Sequence, residues 1–241
     1  MILRQFLHSD PVAVSYLFGC GGKASAAVVD PLGYIAPYLE AAEATGMRIL
    51  HVIDTHIHAD HVSAGRARRG GRRGVRPVPR RAGGLPLPGC QGRRHPRARQ
   101  RGSDGHAHAR PTPEHISLLV TDRTRAPEPW FALTGHTLMV GDLGRTELAS
   151  SAAEGAKALF ASVSRLKDLP DHVEVLPGAY SGSVCGRSLS GKPTSTIGFE
   201  KRFNKALRIE DEDAFVAAMT ADIPPPPPDA ARTRAVNAGA A

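Results

Sequence analysis

Cysteine is scarce in this sequence: Cys20, Cys90 and Cys185 are its three cysteines, and they are widely separated. An odd number of distant cysteines argues against a disulfide framework. Proteins that lack disulfides are typical of reducing compartments, so we predict a cytoplasmic location.

Long hydrophobic runs are missing as well. No apolar stretch approaches the roughly 20 residues that a helix needs to cross a bilayer. The N-terminal residues alternate like a strand and lack the layout of a signal peptide. We therefore predict no membrane association. With 41% hydrophobic residues, a chain of 241 residues can still bury a core, as one large domain or two small ones.

Acidic residues are almost absent from residues 66–110, where Asp104 stands among fourteen arginines and no lysine. This arginine-rich segment alone carries a net charge of +13, whereas the remainder of the +8 chain carries −5. It has few large apolar side chains and neither helical nor strand periodicity, so we predict an irregular or disordered segment. A structureless stretch of this length is unusual inside a compact domain.

Three explanations compete for the arginine-rich segment. A disordered basic arm would bind nucleic acid, and an insertion would simply be solvated. We favour a reading-frame error in GC-rich DNA, because the codons of residues 74–79, 95–101 and 105–111 can each be shifted to yield protein-like strings. The hypothesis places the frameshift between Arg66 and Pro111, and the gene sequence decides it. No aromatic residues interleave the arginines, which disfavours a nucleic-acid-binding module.

Outside this segment the pattern predicts alternating strands and helices. Strands are predicted over residues 2–7, 12–19, 26–30, 48–54, 116–121, 130–134 and 173–176, and helices over 35–45, 151–169 and 210–219. Five consecutive prolines at 224–228 are followed by what we predict to be a disordered tail. We therefore expect one domain over residues 1–220 and a proline-rich tail over 221–241.

The most informative stretch is residues 55–61, Thr-His-Ile-His-Ala-Asp-His, directly after the predicted strand 48–54. A strand that ends in a tight loop can aim such side chains at one point. Imidazole nitrogen and carboxylate oxygen are ligands suited to zinc or iron. Solvated loop histidines are the alternative, but three within six residues would be unusual for a chain with 11 histidines in 241 residues.

A strand followed by His-x-His-x-Asp-His and a helix resembles the hallmark of the metallo-β-lactamase superfamily. Residues 112–115 and 134–146 resemble further motifs of that family, and residues 182–200 resemble its persulfide dioxygenase branch, of which glyoxalase II is the sister branch. The resemblance covers roughly residues 1–65 and 111–220. It implies an α/β fold, a four-layer αββα sandwich, and a metal-dependent enzyme.

The chain departs from the family pattern at three positions. Pro111 stands where the family has a mid-chain histidine, so that ligand is lost. His136 replaces the aspartate that bridges two metal ions in relatives, and Ala179 replaces the last histidine. The resemblance therefore implies a mononuclear site rather than a pair of metals.

The expected site holds one divalent metal ion, iron or zinc. The candidate metal ligands are His56, His58, Asp60, His61 and His136. His56, His58 and His136 would bind the ion, whereas Asp60 and His61 alone are too few for a second metal. Asp60 would be the catalytic residue, as a general base or by orienting a ligand.

For the function, we favour a persulfide dioxygenase acting on a small thiol-derived substrate, of which glutathione persulfide is one candidate. A hydroxyacylglutathione hydrolase-like thioesterase, another metal-dependent hydrolase, an impaired or inactive homologue and a basic nucleic-acid-binding protein are the alternatives. Arg145 is a weak candidate for binding an anionic substrate group, with a structural salt bridge as the alternative. Asp142 is either another carboxylate of the site or a turn residue. The oligomeric state stays open, with a homodimer as one option.

Overall fold

The computed structural model of the protein describes residues 1–65, 115–148 and 150–239. The arginine-rich segment and Pro111, with the frameshift hypothesis that concerns them, lie outside the described residues. Within the described ranges the chain forms two four-stranded sheets, a two-stranded sheet and five α-helices.

The first sheet comes from the N-terminal part of the chain. It consists of β1 (Ile2–Ser9), β2 (Val12–Cys20), β3 (Ser25–Val29) and β4 (Arg48–Ile53), in that order. The first three strands pair antiparallel through short connections, whereas β4 lies parallel to β3. A parallel pair needs a crossover, and helix α1 (Ala36–Ala44) provides it.

The second sheet comes from the middle and later parts of the chain. Its strands are β5 (Leu118–Val120), β6 (Phe131–Gly135), β9 (Glu174–Pro177) and β10 (Ser195–Thr196), and the two short strands β7 (Leu138–Met139) and β8 (Asp142–Leu143) pair separately. The order is β10-β9-β6-β5. β6 and β9 are parallel, and helix α2 (Ala152–Lys167) connects them after the β7–β8 pair.

The alternation of side chains along the strands explains why the two sheets stack. Tyr16 and Phe18 of β2 point into the core between the sheets, whereas Leu17 packs with α1 on the outer side. On β9, Leu176 faces the inner core and Val175 faces the outer helices. Both sheets are thus buried on two faces, and the predicted four-layer αββα fold is confirmed.

Helices cover the outer face of the second sheet. α2 begins with a capping box in which Ser151 and Glu154 bond each other's backbone amides. α3 (Ile197–Phe203) and α4 (Glu212–Thr220) pack beside it. The sequence did not predict α3, because two helical turns are too short to show a period. No helix among the described residues is both long and apolar enough to cross a bilayer.

The C-terminal residues differ from the predicted disordered tail. Helix α5 (Ala230–Ala238) follows the proline run, and Asn237 on it is buried. The helix has no marked apolar face, so the sequence pattern gives no signal for it. Polar contacts with the loop of residues 55–63, described below, hold it instead. The prediction of disorder is therefore wrong for residues 230–238.

Candidate metal centre

Two parallel strands bring the first part of the site together. Because β3 and β4 run in the same direction, the residues after them meet at one edge of the sheet. Asp30 follows β3, and its buried carboxylate accepts hydrogen bonds from the backbone amide of Thr55 at 2.6 Å and from its hydroxyl at 2.8 Å. The loop that carries the histidines is therefore anchored at its first residue.

The same carboxylate determines which nitrogen atoms His56 and His58 present. His58 Nε2 lies 3.2 Å from Asp30 Oδ1 and donates to it, whereas the buried Nδ1 of His58 has no hydrogen-bond partner among the described residues. The Thr55 hydroxyl donates to Asp30, so its oxygen accepts from His56 Nδ1 at 2.9 Å and leaves Nε2 of His56 with a lone pair. In metal-binding histidines, the ring nitrogen that does not bind the metal typically donates a hydrogen bond to a carboxylate.

His136 reaches the same place from the second sheet, in the turn between β6 and β7. Its ring centroid lies 4.5 Å from that of His56 and 6.3 Å from that of His58, and the rings of His56 and His58 are 4.2 Å apart. Gly135 permits this approach, because a Cβ there would lie 2.5 Å from Thr55 Oγ1, and its φ is +52°. The three predicted ligands are thus neighbours, with His56 in the middle.

His115 has a larger part in this region than the sequence indicated. It is buried, and its ring stacks on His56 with 4.9 Å between centroids. Its Nε2 accepts from the backbone amide of His136 at 3.1 Å, and its Nδ1 lies 2.9 Å from Thr137 Oγ1. His115 therefore fixes the turn that carries His136, and its Nε2 lone pair is already engaged.

Asp60 lies between His58 and His61. Its Oδ1 is 3.1 Å from His61 Nδ1 and 3.9 Å from His58 Nδ1, and its side chain is 2% exposed. Neither Asp60 oxygen nor either ring nitrogen of His61 has a partner with hydrogen-bond geometry in the described structure. Buried polar atoms without partners are rare and costly, and a bound cation would satisfy these. The residues present therefore fit a metal ion.

Three groups of side chains within residues 1–65, 115–148 and 150–239 bring ligand atoms within 4.8 Å of one another. They are Asp30–His56–His58, His58–Asp60–His61 and Asp60–His136–Cys185. The five candidate ligands predicted from the sequence all belong to these groups, and we call those five residues the histidine cluster. The particular set His56, His58 and His136 is not one of the groups, so it stays a prediction.

The protonation states of the cluster differ from residue to residue: two imidazoles are neutral, whereas His58 is protonated until a metal ion at its Nδ1 displaces the proton. Burial lowers the pKa of His56 well below its usual value and also lowers that of His136, so both rings are neutral and can act as ligands. Burial acts in the same direction on His58, but its hydrogen bond to Asp30 and the nearby carboxylates raise its pKa to about 9. Burial tends to raise the pKa of Asp60, yet His61 and the other imidazoles hold it below its usual value.

Arg145 lies outside the histidine cluster and is engaged elsewhere. Its Nε donates to Glu147 at 2.6 Å, and its Nη1 donates to the carbonyl oxygens of Val184 at 3.0 Å and Pro225 at 2.9 Å. Its Nη2 donates to the carbonyl oxygen of Pro224. These contacts agree with the structural role that was the alternative, and substrate binding by Arg145 stays a prediction.

Asp142 and Ala179 also lack the features of metal ligands in this structure. Asp142 accepts from the backbone amides of Arg187 at 2.6 Å and Ser188 at 2.9 Å, as expected of a turn residue. Ala179 follows β9, is fully buried and offers no ligand atom. Cys185, six residues later, is the residue that brings a sulfur atom to Asp60 and His136.

Helix α5 supplies residues that the sequence analysis missed. The Asn237 side chain donates to the carbonyl oxygens of His58 at 2.9 Å and His61 at 2.7 Å, and it accepts from the amide of Ser63 at 3.0 Å. Arg234 donates to another carbonyl oxygen of the same loop at 3.0 Å. A single asparagine in a weakly patterned helix leaves no recognisable signal in the sequence. Asp30 was missed for a similar reason, because its role depends on the pairing of β3 with β4.

The chain is similar to known proteins over most of its length, although no family model matches it. Mitochondrial persulfide dioxygenase ETHE1 of Homo sapiens is 26% identical over 227 residues, which cover 91% of this chain and 80% of the relative. ETHE1 from Myxococcus xanthus superposes with a TM-score of 0.73 at 27% identity and covers 100% of both chains.

A metallo-β-lactamase from Staphylococcus aureus subsp. aureus COL superposes with a higher TM-score of 0.80. Its sequence is 31% identical, and the match covers 98% of this chain and 72% of that chain. Similarity at this level and over this length identifies a family, and it agrees with the αββα layers and the histidine loop.

Proposed function

Because the chain belongs to the metallo-β-lactamase superfamily, we propose that it is a metal-dependent enzyme of the persulfide dioxygenase type. The substrate would be a small thiol persulfide, with a glutathione-based compound as the first candidate. The similarity to persulfide dioxygenases at about a quarter identity supports this branch. A cytoplasmic location and a homodimer stay predictions.

One observation carries the proposal. Apart from the 3.1 Å contact between Asp60 Oδ1 and His61 Nδ1, buried atoms of His58, Asp60 and His61 lie without hydrogen-bond partners among the described residues. They lie just after β4, where the carboxylate of Asp30 orients two imidazoles. A purely structural cluster would be expected to satisfy its own polar atoms. The arrangement is that of a ligand set prepared for a cation.

The residues have distinct proposed roles. His56 through Nε2, His58 through Nδ1, and His136 would hold one divalent ion, iron for the dioxygenase reaction. Bound iron would supply open coordination positions for oxygen and for the persulfide sulfur. Asp60, which is buried and ionised, would orient a neighbouring imidazole, because a carboxylate whose pKa lies below its usual value is a weak proton acceptor.

A hydrolase of the glyoxalase II type is the second candidate. The group His58–Asp60–His61 favours it, because these ligand atoms lie within 4.8 Å of one another and could hold the metal ion of a hydrolase. A metal ion lowers the pKa of bound water and makes hydroxide available at neutral pH. His136 replaces the bridging aspartate of relatives. This replacement weakens the case for a two-metal hydrolase.

The test compares both activities on one preparation of the full chain. Metal-free protein is loaded with ferrous iron or with zinc, and the bound metal is counted by elemental analysis. We expect about one iron per chain and oxygen consumption with glutathione persulfide. Hydrolysis of a glutathione thioester without oxygen consumption would favour the second candidate. A chain that retains no metal would contradict both and would support an inactive homologue.

A further inference from the structure

Helix α3 presents two phenylalanine rings to solvent. Phe199 is 53% exposed and Phe203 is 60% exposed. They lie one helical turn apart, with 4.7 Å between ring centroids, so they pack on each other rather than on the core. Ile197 of the same helix is fully buried in the core. The phenylalanine pair therefore belongs to the outward face of α3.

Trp130 extends this apolar surface across the end of the second sheet. It is 42% exposed, and its carbonyl oxygen accepts from the backbone amide of Glu174 at 3.1 Å. Glu174 pairs with Thr196, whose hydroxyl accepts from the amide of Phe199 at 3.2 Å. Trp130 and α3 are thus connected through neighbouring strands at one end of the sheet. We call Trp130, Phe199 and Phe203 the aromatic face.

The aromatic face and the histidine cluster lie at opposite ends of the second sheet. β6 begins directly after Trp130 and ends at Gly135, next to His136. Five strand residues span about 17 Å. A partner that covers the aromatic face therefore leaves the metal centre open, and the face has no part in the chemistry proposed above.

Exposed charges of both signs follow the aromatic face in the chain. A basic border consists of Arg202, Lys205 and Arg208, and the guanidinium of Arg202 lies 5.7 Å from the ring centroid of Phe203. An acidic border, residues 210–213, comes directly after it and is exposed as well. Within residues 1–65, 115–148 and 150–239, no ion pair engages either border. Both sets of charges are therefore available to a partner.

A surface with adjoining basic and acidic borders is complementary to a second copy of itself. In a two-fold contact the same patch is used by both copies, so the basic border of one copy meets the acidic border of the other, twice. The aromatic rings then meet between the two charge contacts. Tryptophan, phenylalanine and arginine are the residue types that are enriched in the centres of such interfaces. A partner of a single charge would match only one of the two borders.

The exposed area also fits a reversible dimer. A fully buried aromatic side chain contributes about 150–250 Å², so three that are about half exposed offer roughly 300 Å² per copy. Two copies and their charged borders then approach the roughly 1,000 Å² that a specific interface needs. This is the size of a reversible contact, and we expect a dissociation constant in the micromolar range.

We propose that the aromatic face and its two charged borders form a two-fold interface with a second copy of this chain. The interface gives a location to the homodimer that the sequence left open. It does not depend on the proposed function, because none of its residues belongs to the histidine cluster. Metal content and activity therefore stay unchanged in variants of this surface.

The first test is sedimentation velocity of the full chain over a series of concentrations. We expect a monomer–dimer equilibrium in the wild type and a dissociation constant raised by about tenfold or more when Phe199→Ser and Phe203→Ser are combined. Tyr34→Ser is the matched control, because Tyr34 is an exposed aromatic residue that precedes α1 on the first sheet. It should dimerise like the wild type.

The second test reverses the charges and keeps the rings. One variant makes the basic border acidic and another makes the acidic border basic, while Asp211 is retained because it caps α4. Each variant alone opposes like charges and should be monomeric, whereas an equal mixture restores opposite charges at both contacts and should form a heterodimer. The variants are Arg202→Glu with Lys205→Glu and Arg208→Glu, and Glu210→Lys with Glu212→Lys and Asp213→Lys.

Recovery of the dimer on mixing supports the interface and shows that both variants are folded. A wild type that stays monomeric would leave the aromatic face to a different partner and overturn the inference. A dimer that persists in the double phenylalanine variant would place the contact on another surface and overturn it as well. Neither result touches the metalloenzyme proposal, which is tested by metal content.

Discussion

The single carboxylate of Asp30 can orient two histidines for metal binding. It accepts from Thr55 and from His58, and through the Thr55 hydroxyl it also fixes His56. Asp30→Asn keeps the shape but removes the charge and one acceptor. We expect metal affinity to fall by about 10–100-fold, the usual effect of losing the partner behind a ligand.

The measurement is competition with a chromogenic chelator, at a pH where both proteins are folded by circular dichroism. Asp10→Asn, a change of an exposed residue in the turn between β1 and β2, is the matched control and should keep the wild-type affinity. Equal affinities for wild type and Asp30→Asn would show that Asp30 has no role in positioning the ligands.

The titration of His58 gives a second prediction for the metal-free protein. Its pKa is raised from 6.5 to about 9 in the folded state, because Asp30 and the other carboxylates outweigh burial. A raised pKa contributes stability that is fully present below pH 6.5 and is lost as the pH rises through about 9. In Asp30→Asn this contribution shrinks.

We therefore expect the difference in unfolding free energy between wild type and Asp30→Asn to decrease as the pH rises from 6.5 to about 9.5. Urea denaturation of chelator-treated proteins measures it, and the opposite contribution of His56 largely cancels in the difference. A difference that is constant over this range would mean that His58 is not protonated beside Asp30.

At the scale of elements, the periodicity of apolar residues predicted the strands and helices that are encoded within a short stretch of sequence. β2, β4 and the long helix α2 appear near their predicted ranges, because apolar residues repeat with the period of each element. The histidine loop was evident because its ligands are adjacent in sequence. Asp30 and His115 were not evident, since each acts through a residue more than twenty positions away.

Helix α5 contacts the histidine loop mainly through Asn237, with one further hydrogen bond from Arg234. Asn237→Ala removes three hydrogen bonds and leaves two carbonyl oxygens and one amide of the loop without that partner. Each unsatisfied buried group costs about 1–3 kcal/mol. We expect a lower melting temperature and at least tenfold weaker metal binding, because the loop that presents His58 and His61 loosens.

Arg232→Ala, an exposed change on the same helix, is the control and should alter neither property. Metal affinity distinguishes positioning from a merely structural role. If Asn237→Ala lowers the melting temperature but leaves the affinity unchanged, α5 stabilises the fold without orienting the ligands.

At the scale of the whole molecule, the histidine cluster lies where the two sheets meet. The first sheet contributes the loop after β4, and the second contributes His136 in the turn after β6. The core between the sheets is apolar and holds them together without a metal. A metal ion with ligands from both sheets would add a cross-link to this packing, because only the folded state brings these ligands together.

Metal removal should therefore lower the stability of the whole fold rather than that of one loop. At a free metal concentration 100-fold above the dissociation constant, binding stabilises the folded state by about 2.7 kcal/mol. We expect chelation to lower the melting temperature in a single cooperative transition, and added zinc or ferrous iron to restore it. In His136→Ala the metal-dependent shift should shrink, because the second sheet no longer supplies a ligand at that turn. A shift of undiminished size in this variant would place the ion within the first sheet's loop alone, and the two halves of the sandwich would then be coupled only by their apolar core.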